Sequence, residues 1–426
     1  MALLSTGVDY GISAIATDQA GKVMRIWWSF QMEPTPLSHF IFVDNSFAGI
    51  SDGSFAAPFK TFGEPGYLVY GNGASGAGKI CVLKQGNSAT PGSEYQRDAT
   101  TGPYWPRTNS LPHSVINIPG EQPVIDLNAI VSFGLEGTLP TNDFMMYGLK
   151  LINGWSTATG GGAGSSGSNG RGAFVSIFGN DAKRILIAHN VFDTVTSWIT
   201  VSNFNNGAIT LDNPNSAREH VVISNNEFAN AVSPATNNIG AIVMQMGGDK
   251  ILIEDNTVRD WGTTSNGIEV IIKLKKPSDN TTVRRNVIVD NVTVWTDKYG
   301  IEVADDQANS PFQFDNLEVS YNVFEFPTTL RPRWMGMTAS AATRTGNVYI
   351  FRNTGKGCDF FSNLNSTVTE MDANDHDGVL AVGPNVTIVS DYPTISTDYQ
   401  VGTQLLTSAF LTANSLEDGE VGHKVI

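Results

Sequence analysis

Through the middle of the chain, short runs of alternating apolar residues end on asparagine, and the pattern repeats. It reads Ile185-Leu-Ile-Ala-His-Asn190, Val221-Val-Ile-Ser-Asn-Asn226, Ile251-Leu-Ile-Glu-Asp-Asn256, Thr281-Thr-Val-Arg-Arg-Asn286, Leu317-Glu-Val-Ser-Tyr-Asn322 and Val348-Tyr-Ile-Phe-Arg-Asn353. Successive asparagines are 36, 30, 30, 36 and 31 residues apart. A period of that length marks a solenoid, whose units cannot bury a core alone and must stack. The apolar residues recur at steps of two and include many β-branched side chains, so the unit is built of strands.

Asparagine tolerates the left-handed backbone region and is expected to supply a turn after each strand. Stacked rungs would bring these side chains about 4.8 Å apart, close enough for an amide ladder inside the coil. A second element runs in phase: Gly172-Ala-Phe-Val, Gly207-Ala-Ile-Thr, Gly240-Ala-Ile-Val, Gly267-Ile-Glu-Val and Gly300-Ile-Glu-Val each open a strand ahead of an asparagine motif. Each rung therefore has at least two strands, and the rest of the coil serves as the crossover that parallel strands need. The expected fold is all-β, a single-stranded right-handed parallel β-helix, the hand following the general rule for parallel crossovers.

These repeats resemble those of right-handed parallel β-helix proteins of the pectin-lyase-like superfamily. Phe42-Val-Asp-Asn-Ser-Phe-Ala-Gly-Ile-Ser-Asp-Gly-Ser-Phe-Ala-Ala-Pro-Phe-Lys-Thr61 is similar to the opening segment of many polysaccharide lyases and phage tailspikes. The likeness spans roughly residues 40 to 390. It implies fold strongly and reaction weakly, because this fold carries lyases, hydrolases, esterases and inert fibres. Tailspikes of this kind are commonly trimers, so the resemblance implies a homotrimer.

The chain divides into residues 1–40, a cap or attachment segment; 41–390, the coil; and 391–426, a terminal cap or oligomer contact. Val23-Met-Arg-Ile-Trp-Trp-Ser-Phe30 reads as a strand that closes the end of the coil or holds a partner. Twenty-six Lys and Arg face 41 Asp and Glu, a net charge of −15. That balance disfavours nucleic acid and anionic membranes as partners. No stretch approaches the length of a membrane span. The two cysteines, Cys81 and Cys358, form no framework and are expected as free buried thiols. Met1-Ala-Leu-Leu-Ser-Thr6 lacks the basic start and apolar run of a secretory signal. With the resemblance, this points to a virion tail part released by lysis, or to an extracellular protein with its leader removed.

Chemistry on a coil sits on outward positions of neighbouring rungs. Aligning the rung glycines, positions plus one and plus three point inward and plus two points outward: Phe174, Ile209, Ile242, Glu269 and Glu302. This register stacks Glu269 under Glu302 and Lys273 under Asp306, with Asp305 alongside. Two carboxylates about 5 Å apart suit a retaining glycoside hydrolase, since like charges that close split their pKa values. A lyase instead needs a base, for which Lys273, Lys275 and Lys276 are candidates, and a cation to neutralise a uronate. Glu302, Asp305 and Asp306 supply oxygen ligands suited to Ca²⁺. Trp261 and Trp295, with Lys275 and Lys276, are candidates for substrate binding, the indole rings offering flat apolar faces to sugars. The apolar outward run Phe174, Ile209, Ile242 calls for a cover from a loop or another chain. Glu254/Asp255 and Arg284/Arg285 occupy matching places in adjacent repeats and are expected as structural ion pairs.

The expectation is a protein that binds and cleaves polysaccharide, of the phage tailspike depolymerase type. The alternatives are a secreted bacterial polysaccharide lyase and a glycan-binding fibre or adhesin without catalysis.

Overall fold

The computed structural model describes residues 9–17, 23–31, 40–61, 80–96, 105–106, 113–127, 133–137, 142–155, 174–179, 183–197, 206–211, 219–233, 239–244, 248–263, 269–275, 278–289, 298–304, 317–326, 333–338, 344–362, 366–372, 375–376, 380–381 and 387–388. The chain forms two compact units, residues 1–40 and 41–426. Residues 391–426, assigned above to a terminal cap, lie outside the described residues.

In the first unit, strands Asp9–Thr17 and Val23–Gln31 pair antiparallel in a two-stranded sheet.

The second unit is a parallel β-helix. Its strands fall into three sheets of twelve, ten and ten strands, and every pairing among the described residues is parallel. One coil shows the plan. Lys183–Ala188 lies in the first sheet, Val191–Ser197 in the second and Asn206–Leu211 in the third; Glu219–Ser224 then returns to the first sheet beside Lys183–Ala188. The rung thus has three strands where the sequence pattern required at least two. The additional strand begins directly after the asparagine.

Inward columns of apolar side chains fix the register. The first sheet stacks Phe144, Ile185, Val221 and Ile251, with Met146, Ile187, Ile223 and Ile253 beside them; all are buried. The second stacks Ile125, Leu151, Phe192, Phe228, Val258, Ile288 and Phe324. There the Phe192 and Phe228 rings lie 5.0 Å apart and 21° from parallel, and Trp261 meets Phe228 edge-on at 5.8 Å. Offset stacking and edge contacts are the arrangements that the ring quadrupole favours.

The asparagines form the expected ladder. Each Oδ1 accepts both the backbone N–H and the Nδ2 of the previous rung's asparagine: Asn190 to Asn226 at 3.0 and 3.1 Å, Asn226 to Asn256 at 3.0 and 3.0 Å, Asn256 to Asn286 at 3.1 and 2.9 Å. The run continues to Asn322 and Asn353. Each Nδ2 also donates to a strand carbonyl, as Asn226 does to Ile187 O at 2.8 Å and Asn256 to Ile223 O at 2.9 Å. At the start of the ladder Leu149 occupies the asparagine position, and its N–H donates to Asn190 Oδ1.

The left-handed turn residue is not the asparagine but the one before it: His189, Asn225, Asp255, Arg285, Tyr321 and Arg352 have φ of 57°, 54°, 55°, 53°, 55° and 52°. The asparagine's work is to satisfy buried backbone groups at the corner, where water is excluded. Gly148, at φ 73°, takes the same place one rung earlier. Two further columns of left-handed residues bend the coil, Asn153–Thr194–Asn230–Asp260 in the second sheet and Arg184–His220–Lys250–Asn280 in the first. Together with the column before the asparagines, these hold every non-glycine residue of positive φ among the described residues.

The segment 42–61 forms a tight loop on the first rung. Phe42 N–H donates to Gly53 O and Phe59 N–H to Phe42 O, both at 2.9 Å, while Asp52 Oδ1 accepts Ser54 N–H at 2.8 Å. Cys81 and Cys358 are free and buried, and burial pushes the Cys81 thiol up to about 12.

Candidate functional site

The third sheet carries the residues singled out for catalysis, and its register differs from the glycine alignment. Ile242 pairs with Ile272 and Ile272 with Ile301; Met244, Leu274 and Val303 line up likewise. Pairing follows these apolar columns because a one-residue slip would turn every inward side chain to solvent. The glycines sit at unequal distances from the column: Gly240 two residues before Ile242, Gly300 one before Ile301. The expected outward run Phe174, Ile209, Ile242 is accordingly overturned: all three are fully buried in the core, and Phe174 packs against Phe192 at 5.4 Å.

Glu269 does not stack on Glu302. It pairs with Lys298, and Glu302 pairs with Lys273 instead. The paired carboxylates that would define a retaining hydrolase are therefore not brought together by this sheet, nor is Lys273 opposite Asp306. What the register builds is an ion pair: Lys273 Nζ lies 3.1 Å from Glu302 Oε2, with side chains only 7% and 8% exposed. Both residues alternate with the inward column and so belong to the outer face of the sheet. Ile271 on that face is fully buried too. Desolvating two charges costs several kcal/mol each, and their attraction offsets this only when both partners are present.

The other candidates separate. Lys275 pairs with Ala304 at the end of its strand. Trp261, expected at a sugar-binding turn, is fully buried in the core against Phe228, because its strand alternation aligns it with Ala231 on the inward side. Trp295, Lys276, Asp305 and Asp306 lie outside the described residues, and with them most of the expected Ca²⁺ ligand set. Among the described residues no three His, Cys, Asp or Glu side chains are grouped to hold a metal ion. No helix among the described residues is long and apolar enough to cross a membrane.

At the corner between the first two sheets, Arg285 donates to Asp255 through two nitrogens at 2.9 Å each, and Arg284 Nε reaches Glu254 Oε2 at 2.9 Å. These are the structural pairs expected from matching repeat positions. Sequence reading missed a second cluster, on the outer face of the second sheet. Asp193 accepts from Asn230 at 2.9 Å and pairs with Lys150 at 3.0 Å; one rung away Asn153 donates to Asp126 at 3.0 Å. Burial alone would raise the Asp193 carboxyl, but hydrogen bonds from Asn230, Lys150 and Thr194 hold it below the usual carboxylate range. These residues lie outside the asparagine motif, at and beside the left-handed positions Asn153, Thr194 and Asn230.

Compared with known proteins, the chain matches no family model, no curated protein and no solved structure. The fold and the ion pair therefore stand as the basis of any functional reading.

Proposed function

We propose that this β-helix protein binds an acidic polysaccharide along its third sheet and cleaves it by β-elimination, in the manner of pectin-lyase-like lyases and tailspike depolymerases. The observation that supports this is the Lys273–Glu302 pair, buried on outward strand positions of adjacent rungs. β-Elimination on a uronate needs a cation to neutralise the carboxylate and a base for the adjacent carbon-bound proton. In this reading the substrate carboxylate displaces Glu302 from the Lys273 ammonium. The freed Glu302 carboxylate accepts the proton, a carbon–carbon double bond forms, and the glycosidic oxygen leaves with a proton from water. General bases act at hydrogen-bond range, and the 3.1 Å pair sets both groups within reach of one sugar. The register favours elimination over retaining hydrolysis, because Glu269 pairs in register with Lys298 and not with a second carboxylate. Tail-associated or extracellular placement and trimeric assembly belong to the same proposal, resting on the resemblance of the repeats; Ca²⁺ as an aid to substrate neutralisation rests on the acidic residues after Glu302.

A second reading, a glycan-binding fibre without catalysis, is favoured by the depth of that same pair, whose charges already neutralise each other.

The test is incubation with uronate-containing and neutral polysaccharides, followed by the ultraviolet absorbance of the unsaturated product and by reducing ends. Elimination gives both signals, and Glu302→Gln and Lys273→Met abolish them. New reducing ends without absorbance mean hydrolysis and reject the mechanism. Binding with neither signal selects the fibre.

A further inference from the structure

The outer face of the first sheet carries an apolar patch of defined length. Met145, Leu186, Val222 and Leu252 stand in register on four successive rungs. Each alternates with buried inward residues and is itself partly exposed. Polar residues close the column at both ends, Ser114 beyond Met145 and Thr282 beyond Leu252. At about 4.8 Å per rung the four side chains span about 14 Å. Two residues before Leu186, Val222 and Leu252 stand Arg184, His220 and Lys250, all exposed. Four apolar residues are too small a surface to hold a free partner protein stably. They suffice for a segment of the same chain, whose tether supplies a high effective concentration.

We infer that the C-terminal segment docks on this patch as an amphipathic helix. The chain continues past Thr387–Ile388, the last described strand of the first sheet, through residues 389–426. Placed at about 100° per residue, Leu405, Leu406, Ala409, Phe410, Ala413 and Leu416 fall within an arc of about 140°. Of the apolar residues from 405 to 416, only Leu411 lies outside that arc. The same residues do not alternate, as a further strand would require. Gly419 follows as a stop. The lengths agree: residues 405 to 416 rise about 16 Å as a helix, against about 14 Å for the column. Roughly three helical residues then match each rung. Leu406 falls over Leu252, Ala409 over Val222, Ala413 over Leu186 and Leu416 over Met145. The chain also reaches. Five strand spacings, about 24 Å, separate the strand of Ile388 from that of Leu252, and the stretch from 388 to 405 extends up to about 56 Å. Charge sets the direction. Glu417, Asp418 and Glu420 follow Leu416, and leaving over Met145 brings them beside the rung of Lys183 and Arg184. The reverse direction would set them by Asp249 and Asp279.

The experiment uses the full chain with one cysteine on the patch and one in the segment; Cys81 and Cys358 are buried and do not compete. Val222→Cys with Ala409→Cys is expected to close a disulfide within one chain under mild oxidation. It forms at least about tenfold faster than Val222→Cys with Ser408→Cys, whose second thiol lies on the polar side of the helix. In the wild type, hydrogen exchange over residues 403–416 is slowed at least about tenfold relative to an unstructured chain. Val222→Glu removes that protection by putting a charge under the apolar face. The ladder amides of Asn226 and Asn256 keep theirs, which shows that the coil is still folded. Equal rates for the two cysteine pairs, an unprotected segment, or protection indifferent to Val222→Glu would each overturn the inference. A disulfide formed only between chains would overturn it as well, placing the segment on a second copy.

Discussion

Replacing Asn256 by Ala removes one link from the middle of the amide ladder. Four hydrogen bonds go with the side chain: those it accepts from Asn226 N–H and Nδ2, each 3.0 Å, and those it donates to Ile223 O and Asn286 Oδ1, each 2.9 Å. Asn226 Nδ2 keeps Ile187 O, and Asn286 Oδ1 keeps the Asn256 N–H. The Asn226 N–H loses the acceptor it has in the ladder, in a site closed to water. One orphaned donor at roughly 1–3 kcal/mol and three lost bonds at about 1 kcal/mol each give about 5 kcal/mol. In a stacked array the loss acts on neighbouring rungs first. Hydrogen exchange read by mass spectrometry should show the amide of Asn226 opening up to roughly 5,000-fold more often. Amides in rungs several repeats away should be little changed. Arg259→Ala in the same rung is the comparison: its pair with Glu227, at 2.6 Å and with side chains 54% and 39% exposed, is solvent-screened and worth under about 1 kcal/mol. If Asn256→Ala cost no more than Arg259→Ala, the ladder would be an ornament of the corner rather than its support.

Gly148→Ala should destabilise the coil by about 2 kcal/mol or more in a denaturant titration, because φ is 73° there and the added methyl would collide with the Asn117 side chain. Removing one charge from the buried pair, by Lys273→Met or Glu302→Gln, should cost roughly 3–5 kcal/mol, while Lys273→Met with Glu302→Met together should cost clearly less than the sum; additive losses would show that the two do not form one unit. Asp193 has a lowered folded pKa, so its stabilisation is present above the unfolded carboxyl value of about 3.9 and fades as pH falls through the folded one. The melting-temperature gap between wild type and Asp193→Asn should hold at neutral pH and narrow below about pH 4. Cys81, with its thiol near 12 and its side chain buried, should resist alkylation in the folded protein at mildly alkaline pH and react on unfolding; ready labelling of the native chain would contradict its place in the core.

The asparagine motif made the solenoid, its strands and its ladder legible, since each depends only on spacing and on residue chemistry repeated in every rung. The same matching repeats foretold the Glu254/Asp255 and Arg284/Arg285 pairs. The glycines were a poorer ruler. They mark where strands of the third sheet begin, but Gly240 and Gly300 stand at different distances from the first inward residue. An error of one residue then exchanged core for surface at Ile209 and Ile242, and an offset between rungs exchanged Glu269 for Lys273 as the partner of Glu302. Trp261 looked like a surface ring because it follows a turn, yet the chain kinks at Asp260, φ 49°, and the next residue goes inside.

The sequence by itself determined the period, the strand content and the buried amide column, because those are local patterns summed over identical units. Which charged residues meet on the outer face was decided only in the folded coil. Strand register there is set by how apolar side chains of successive rungs interlock across the core, a long-range packing condition that no single repeat contains.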